Sequence, residues 1–257
     1  MDSLTLKLIL TPVLVGMASL AGRRWGPAVS GWLVGLPLTS GPIVFFLVLT
    51  HGVTFATAVA VGTLAGAISQ AAFCLVYGWL AVHWGWPCTL MASCLGFAAA
   101  TAVLQHLMVP IVLLFLLVIL ALAVALRLMP SSVDAAPARV GPPPLWDIPT
   151  RMIVATAFVL ILIGSATALG PQLTGLMAPF PLYAAILAVF AHHLHGAVPA
   201  VRVLRGLLLG LFAFASFFLV LAALLERVEM VLAFGVASSV ALVLQAGALW
   251  TLQRRLG

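Results

Sequence analysis

Polar residues in this chain come in short clusters, and between them lie apolar runs of roughly 18 residues or more, long enough for a helix to cross a bilayer. The runs fall near 4–22, 28–50, 55–82, 89–106, 109–129, 150–169, 172–194, 203–225 and 230–252. The pattern predicts an all-α polytopic membrane protein with about nine transmembrane helices. The tightest junction is LQHLMVP at 104–110, where Pro110 and the polar pair Gln105 and His106 allow a turn. The longest polar stretch, MPSSVDAAPARVGPPPLWDIPT at 129–150, is rich in Pro, Ala and Ser and reads as an irregular loop between two halves.

One span carries polar residues and helix breakers at its centre. GLPLTSGP, residues 35–42, sits between the apolar stretches GPAVSGWLV and IVFFLVL. A proline inside a helix lacks an N–H and displaces the carbonyl four residues back, so Pro37 is expected to free the Leu33 carbonyl and Pro42 that of Leu38. Thr39 and Ser40 add hydroxyls, while Gly35 and Gly41 allow a solute or another backbone to come close. Irregular backbone at this depth is tolerated only against protein or in a water-lined cavity.

The break has a partner. Shifting the chain by 144 residues aligns GPAVSGWLVGLPLTSGPIVFFLVLTHG with GPQLTGLMAPFPLYAAILAVFAHHLHG without a gap. Over residues 26–76, 17 of 51 positions are identical, against roughly a tenth expected by chance in so biased a composition. Further on, AVLQ (102–105) matches LVLQ (242–245) at a shift of 140, pairing Gln105 with Gln245. The reading divides the chain into a first four-helix repeat at 1–108, a linking helix and cytoplasmic loop at 109–149, and a second repeat at 150–257. An odd linking span puts the second repeat in the opposite orientation, an inverted-repeat plan recurrent among secondary transporters. Pro179 and Pro181 mark the second break and are expected to free the carbonyls of Gly175 and Met177. FPLYAA there replaces the hydroxyls of the first break with Tyr183 and two alanines.

Composition and charge agree with the pattern and narrow it. The chain is 65% hydrophobic and 6% charged, with a mean hydropathy of +1.29. Nine spans place Arg23, Arg24, Arg127, Arg139, Arg151, Arg202, Arg205, Arg254 and Arg255 on one face, with only Lys7 and Arg227 on the other. The positive-inside rule then puts the N-terminus outside and the C-terminus in the cytoplasm, in a multi-pass inner (plasma) membrane protein. Treating GLPLTSGP as a re-entrant tip would scatter these arginines over both faces. Residues 1–20 lack a basic n-region and an A-x-A site, so the first span is expected to remain as an anchor. Basic residues at helix ends serve topology, which sets nucleic acid aside as a partner. Trp84, Trp86, Trp146 and Trp250 near span ends fit an aromatic belt.

The candidate chemistry is sparse. Asp2, Asp134, Asp147, Glu226 and Glu229 are the only acids, and all are expected in tails or loops. Paired-carboxylate catalysis and carboxylate-based proton exchange therefore find no support, and the chain does not read as an enzyme. Cys74, Cys88 and Cys94 lack metal-ligand spacing and read as small core residues. His192, His193 and His195 read as the end of a loop rather than as metal ligands. Substrate-binding candidates are Pro37, Thr39, Ser40, Gly41, Pro181 and Tyr183 at the two breaks, with Gln105 and Gln245. Ser69 and Gln70 read as glue between helices, and the pairs Gly62–Gly66 and Gly206–Gly210 as close-packing surfaces within the chain or in a homodimer.

The Pro-Leu-x-x-Gly-Pro run in GLPLTSGP resembles segments of the duplicated AbrB-type bacterial membrane proteins and the broken crossing helices of bile-acid-symporter-like transporters. The resemblance covers some 40 residues in each repeat and implies a bacterial polytopic protein of the inverted-repeat transporter type. It carries over no ligand or residue role. The expected function is secondary transport of a small organic solute, anionic or neutral, with membrane lipids as surroundings. No cofactor is implied, and a coupling Na⁺ or H⁺ is left open. The alternative is a translocator of a lipid or polyprenyl phosphate, or a membrane scaffold, with Arg202 and Arg205 as phosphate contacts.

Overall fold

The computed structural model describes residues 3–37, 40–106, 109–130, 146–157 and 180–256. All secondary structure among them is helical: α1 (Ser3–Trp25), α2 (Pro27–Val34), α3 (Ser40–His51), α4 (Val53–Leu80), α5 (Trp86–Leu104) and α6 (Ile111–Leu128), followed by α7 (147–157), α8 (Leu182–His195), α9 (Ala197–Leu224) and α10 (Met230–Leu256). Among the described residues, α4, α5, α6, α9 and α10 each contain a stretch long and apolar enough to cross a membrane. The expected span at 28–50 is two helices, α2 and α3. The expected span at 203–225 begins six residues earlier, because Pro199 falls in the first turn of α9, where a missing N–H costs nothing.

The outer helices show which solvent the fold is built for. On α6, Leu114, Val118, Leu122 and Ala125 are buried against α4 and α9, while Val112, Leu116, Leu120 and Val124 stand exposed on the other side. α10 is similar, with Ala233, Ala237 and Ala241 buried and Val231, Leu232, Leu242 and Val243 exposed. A continuous apolar outer face would drive aggregation in water and is the ordinary surface of a helix in lipid. Hydroxyls obey the same constraint: Thr57, Thr63, Ser93, Thr156 and Ser216 each donate to the carbonyl four residues back in their own helix. The chain is a helical membrane protein.

α4 and α9 form the centre and pack on each other. Each has 28 residues, and they begin at Val53 and Ala197, which is the 144-residue offset of the sequence match. α3 and α8 end at His51 and His195, and α5 and α10 begin at Trp86 and Met230, all at that same offset. Between these helices stand single glycines, Gly52 at φ 83° and Gly196 at φ 91°. This backbone region is open to glycine and strained for other residues, so a one-residue elbow is built at the same place twice.

The helix ends sort themselves. The Tyr77 hydroxyl lies 3.3 Å from His192 Nδ1, the Trp86 and His193 rings are 6.1 Å apart, and Arg205 donates to the Met129 carbonyl at 2.9 Å. The C-terminal ends of α4, α6 and α8 thus gather with the N-terminal ends of α5 and α9. Asp147, expected in a loop, is instead the buried first residue of α7. Cys88, expected in the core, is exposed, Cys94 is half-buried, and Cys74 alone is fully enclosed.

The tightest packing is where α2 crosses α9. A Cβ on Gly31 would fall on the Val203 carbonyl oxygen, and one on Gly206 would fall on that of Ala28. A Cβ on Gly35 would stand 2.6 Å from the Gly210 Cα. Gly206 and Gly210 therefore pack within the chain, whereas Gly62 on α4 has no described atom within 4 Å of an added Cβ. Gly31→Ala and Gly206→Ala are each expected to destabilise the folded chain by about 1–3 kcal/mol or more. Gly62→Ala is expected to change stability by less than about 0.5 kcal/mol. Thermal unfolding in detergent checks both; equal effects at the three positions would contradict the crossing.

Candidate functional site

The first break lies between Val34, the last residue of α2, and Ser40, the first of α3. At the end of α2, the Gly35 N–H donates to the Gly31 and Trp32 carbonyls at 3.1 and 3.2 Å, and the Leu36 N–H to Leu33 at 3.3 Å. The last turn tightens, as helix ends commonly do. The Leu33 carbonyl, expected free, is therefore taken, because the chain has left the helix before reaching Pro37. The carbonyls of Leu38, Gly175 and Met177, and the Thr39 side chain, lie outside the described residues.

Pro37 and Pro181 play matched parts. The Pro37 carbonyl accepts the Gly41 N–H at 2.9 Å, and the Pro181 carbonyl accepts the Ala185 N–H at 2.8 Å. Each proline thus supplies the first acceptor of the helix that follows. Pro37 and Ser40 are half-buried, while Pro181 and Gly41 are buried.

Each break also meets a phenylalanine from the other half. A Cβ on Gly41 would lie 3.4 Å from the Phe217 ring of α9. Phe180, immediately before Pro181, packs edge-on against Phe73 of α4 with centroids 5.9 Å apart. Phe73 and Phe217 are themselves 144 residues apart, so equivalent residues reach across to opposite breaks. Sequence reading passed over this pair, although both are identities in the matched stretch and stand out once aromatics away from the breaks are sought. Around Phe217 lie Phe218 at 5.0 Å and Phe234 at 6.3 Å, with Phe45 5.3 Å from Phe234. Around Phe180, Phe97 is 5.4 Å away.

Gln245 is drawn to the first break. It is 2% exposed, and its Nε2 donates to the Trp32 carbonyl in the last turn of α2 at 2.8 Å. Gln105 is not brought there; it is exposed and caps the C-terminal end of α5. Because α5 and α10 start 144 residues apart, the helix position matching Gln245 belongs to Thr101, and the four-residue likeness at a shift of 140 does not give the structural equivalence. The Thr101 hydroxyl is bonded within its own half, 2.8 Å from both the Ser69 hydroxyl and the Phe97 carbonyl. Ser69 thus has the interhelical role expected of it. Tyr183 is half-buried in a separate cluster with Val15, Ala155 and Ile186, so the structure sets it with α1 and α7 rather than with Gly41 and Phe217.

Charge is concentrated at one place that the sequence did not announce. Asp147, 2% exposed, accepts from Arg151 Nε at 2.7 Å and from Arg23 at 3.3 Å. The Arg151 guanidinium also lies over the Phe190 ring at 5.2 Å. One acid at a helix N-terminus, where its charge is favoured, thus ties α7 to the end of α1. Removing one partner from a buried ionic cluster leaves uncompensated charge and costs about 3–5 kcal/mol. Asp147→Asn is expected to lose about that much, and Asp147→Asn with Arg151→Met to recover part of it. Unfolding of the two variants and of Arg151→Met alone, taken as a double-mutant cycle, measures the coupling; additivity would refute it.

No family model matches the chain, and neither a curated protein nor a solved structure is similar to it.

Proposed function

We propose that this chain is a secondary transporter, moving a small organic solute across the cytoplasmic membrane by alternating access between two four-helix repeats of opposite orientation joined by α6. The observation that carries this reading is the reciprocal contact at the breaks. Phe217 of the second half closes on Gly41 of the first, and Phe73 of the first closes on Phe180 of the second. The break between α2 and α3 and the proline-marked start of α8, each facing the counterpart half's central helix, are what two related packings for alternating access would need. The matched helix starts, the paired Gly52 and Gly196 elbows and the sorting of helix ends support this reading. The solute is placed at the first break, among Ser40, Gly41, Pro37 and Thr39, with Gln245 approaching from α10. The phosphate-lipid alternative gains nothing from Arg205, whose guanidinium already holds the Met129 carbonyl.

Two measurements test the proposal. In proteoliposomes, Thr39→Ala and Ser40→Ala are each expected to slow uptake of an accepted solute roughly tenfold, as for one lost hydrogen bond of about 1.4 kcal/mol. Unchanged uptake of every accepted solute in both variants would remove the site from this break. Topology is read by labelling intact cells with a membrane-impermeant maleimide. With the N-terminus outside, Arg227→Cys is expected to label, and the exposed Cys88 only after the cells are opened. The reverse pattern would overturn the orientation.

A further inference from the structure

Where Gln245 meets α2, two buried polar atoms are left over. Gln245 Oε1 has no hydrogen-bond partner among the described residues, and neither has the Trp32 indole N–H. The orientation of the amide is settled by chemistry, since only its nitrogen can donate to the Trp32 carbonyl. The oxygen is therefore held in place as an acceptor facing no donor among the described residues, on a residue that is 2% exposed. A buried acceptor and a buried donor left unmet are each costly, and in native folds such groups have a partner. These two belong to residues that already touch, at the end of α2 where the backbone stops being helical.

We propose that this place is the polar subsite for the transported solute, and that it takes a neutral group carrying both a hydrogen-bond donor and an acceptor, such as a primary amide or a hydroxyl. The inference rests on the transport reading for its purpose, while the orphan pair stands independently of it. The donor goes to Gln245 Oε1 and the acceptor receives the Trp32 N–H. An ionised carboxylate is disfavoured in this place because it only accepts and has nothing to give the amide oxygen. It would also stand against the C-terminal end of α2, where the helix dipole is negative. A simple cation would satisfy Oε1 and leave the indole N–H unmet. No acid of α10 balances a cation there, since Glu229 precedes Met230 and lies roughly 24 Å from Gln245 along the helix. This narrows the sequence expectation of an anionic or neutral solute to the neutral class.

The test uses the full chain in detergent and four small probes: lactamide, glycerol, propionate and methylammonium. Propionate carries charge and acceptors without a donor, and methylammonium donates without accepting. Lactamide and glycerol are expected to raise Tm by about 3–6 °C at ten times their dissociation constants, and propionate and methylammonium to leave it unchanged. Trp32→Phe keeps a ring while deleting the donor, and Gln245→Leu keeps bulk while deleting the acceptor; both are expected to abolish the shift. Propionate or methylammonium matching lactamide would overturn the proposal, as would a lactamide shift that survives both substitutions. A melt unmoved by all four probes would overturn it too, leaving a structural water as the occupant. Uptake into proteoliposomes separates the two readings. Lactamide that binds through Trp32 and Gln245 yet does not enter removes transport and keeps the subsite; entry that ignores both residues does the opposite.

Discussion

Everything around the first break depends on α2 lying directly on the backbone of α9. Lipid gives packed helices no hydrophobic reward for associating, so close contact must supply it through dispersion and backbone-to-backbone approach. Glycines on both partners make that approach: Gly31 against Val203, Gly206 against Ala28, and Gly35 against Gly210. At such separations Cα–H groups face carbonyl oxygens, a weak attraction that recurs at helix crossings. The same contact fixes where α2 stops. It holds the Trp32 carbonyl within reach of Gln245 and delivers the chain to Pro37, from whose carbonyl α3 begins.

A second constraint comes from the bilayer, which leaves few polar groups without an assigned partner. Serines and threonines turn back on their own helices, the exposed faces of α6 and α10 are mostly apolar, and the acid of α7 is doubly bonded to arginine. Against that background, two unmet polar atoms on a pair of residues that touch carry more meaning than they would in a wet protein.

The repeat was legible because glycine and proline punctuate both halves at one interval, and backbone punctuation survives divergence of the side chains between. Gly52, Gly196, Pro37 and Pro181 mark the elbows and helix starts that the structure shows. Gln105 misled because a four-residue match in an apolar background has little weight against helix phase, which is set by the starts at Trp86 and Met230. Asp147 was hidden for another reason. It follows a proline-rich stretch and looks solvated until Arg23, 124 residues away, is seen to reach it. The Leu33 carbonyl shows the limit of reasoning from proline alone: a helix that ends early re-pairs its own last turn.

The two halves are alike in plan and unlike in chemistry. Gly35 answers to Pro179, and Gln245 answers to Thr101, whose hydroxyl is occupied at home. In the proposed exchange, perfectly matched halves would make the two arrangements equally populated. Here one arrangement holds the Gln245–Trp32 bond, and Thr101, at the twin position, is too short a side chain and too well engaged to offer the same. A bond of about 1 kcal/mol weights two states about fivefold. Under the proposed transport reading, the resting side would be tilted by a single amide.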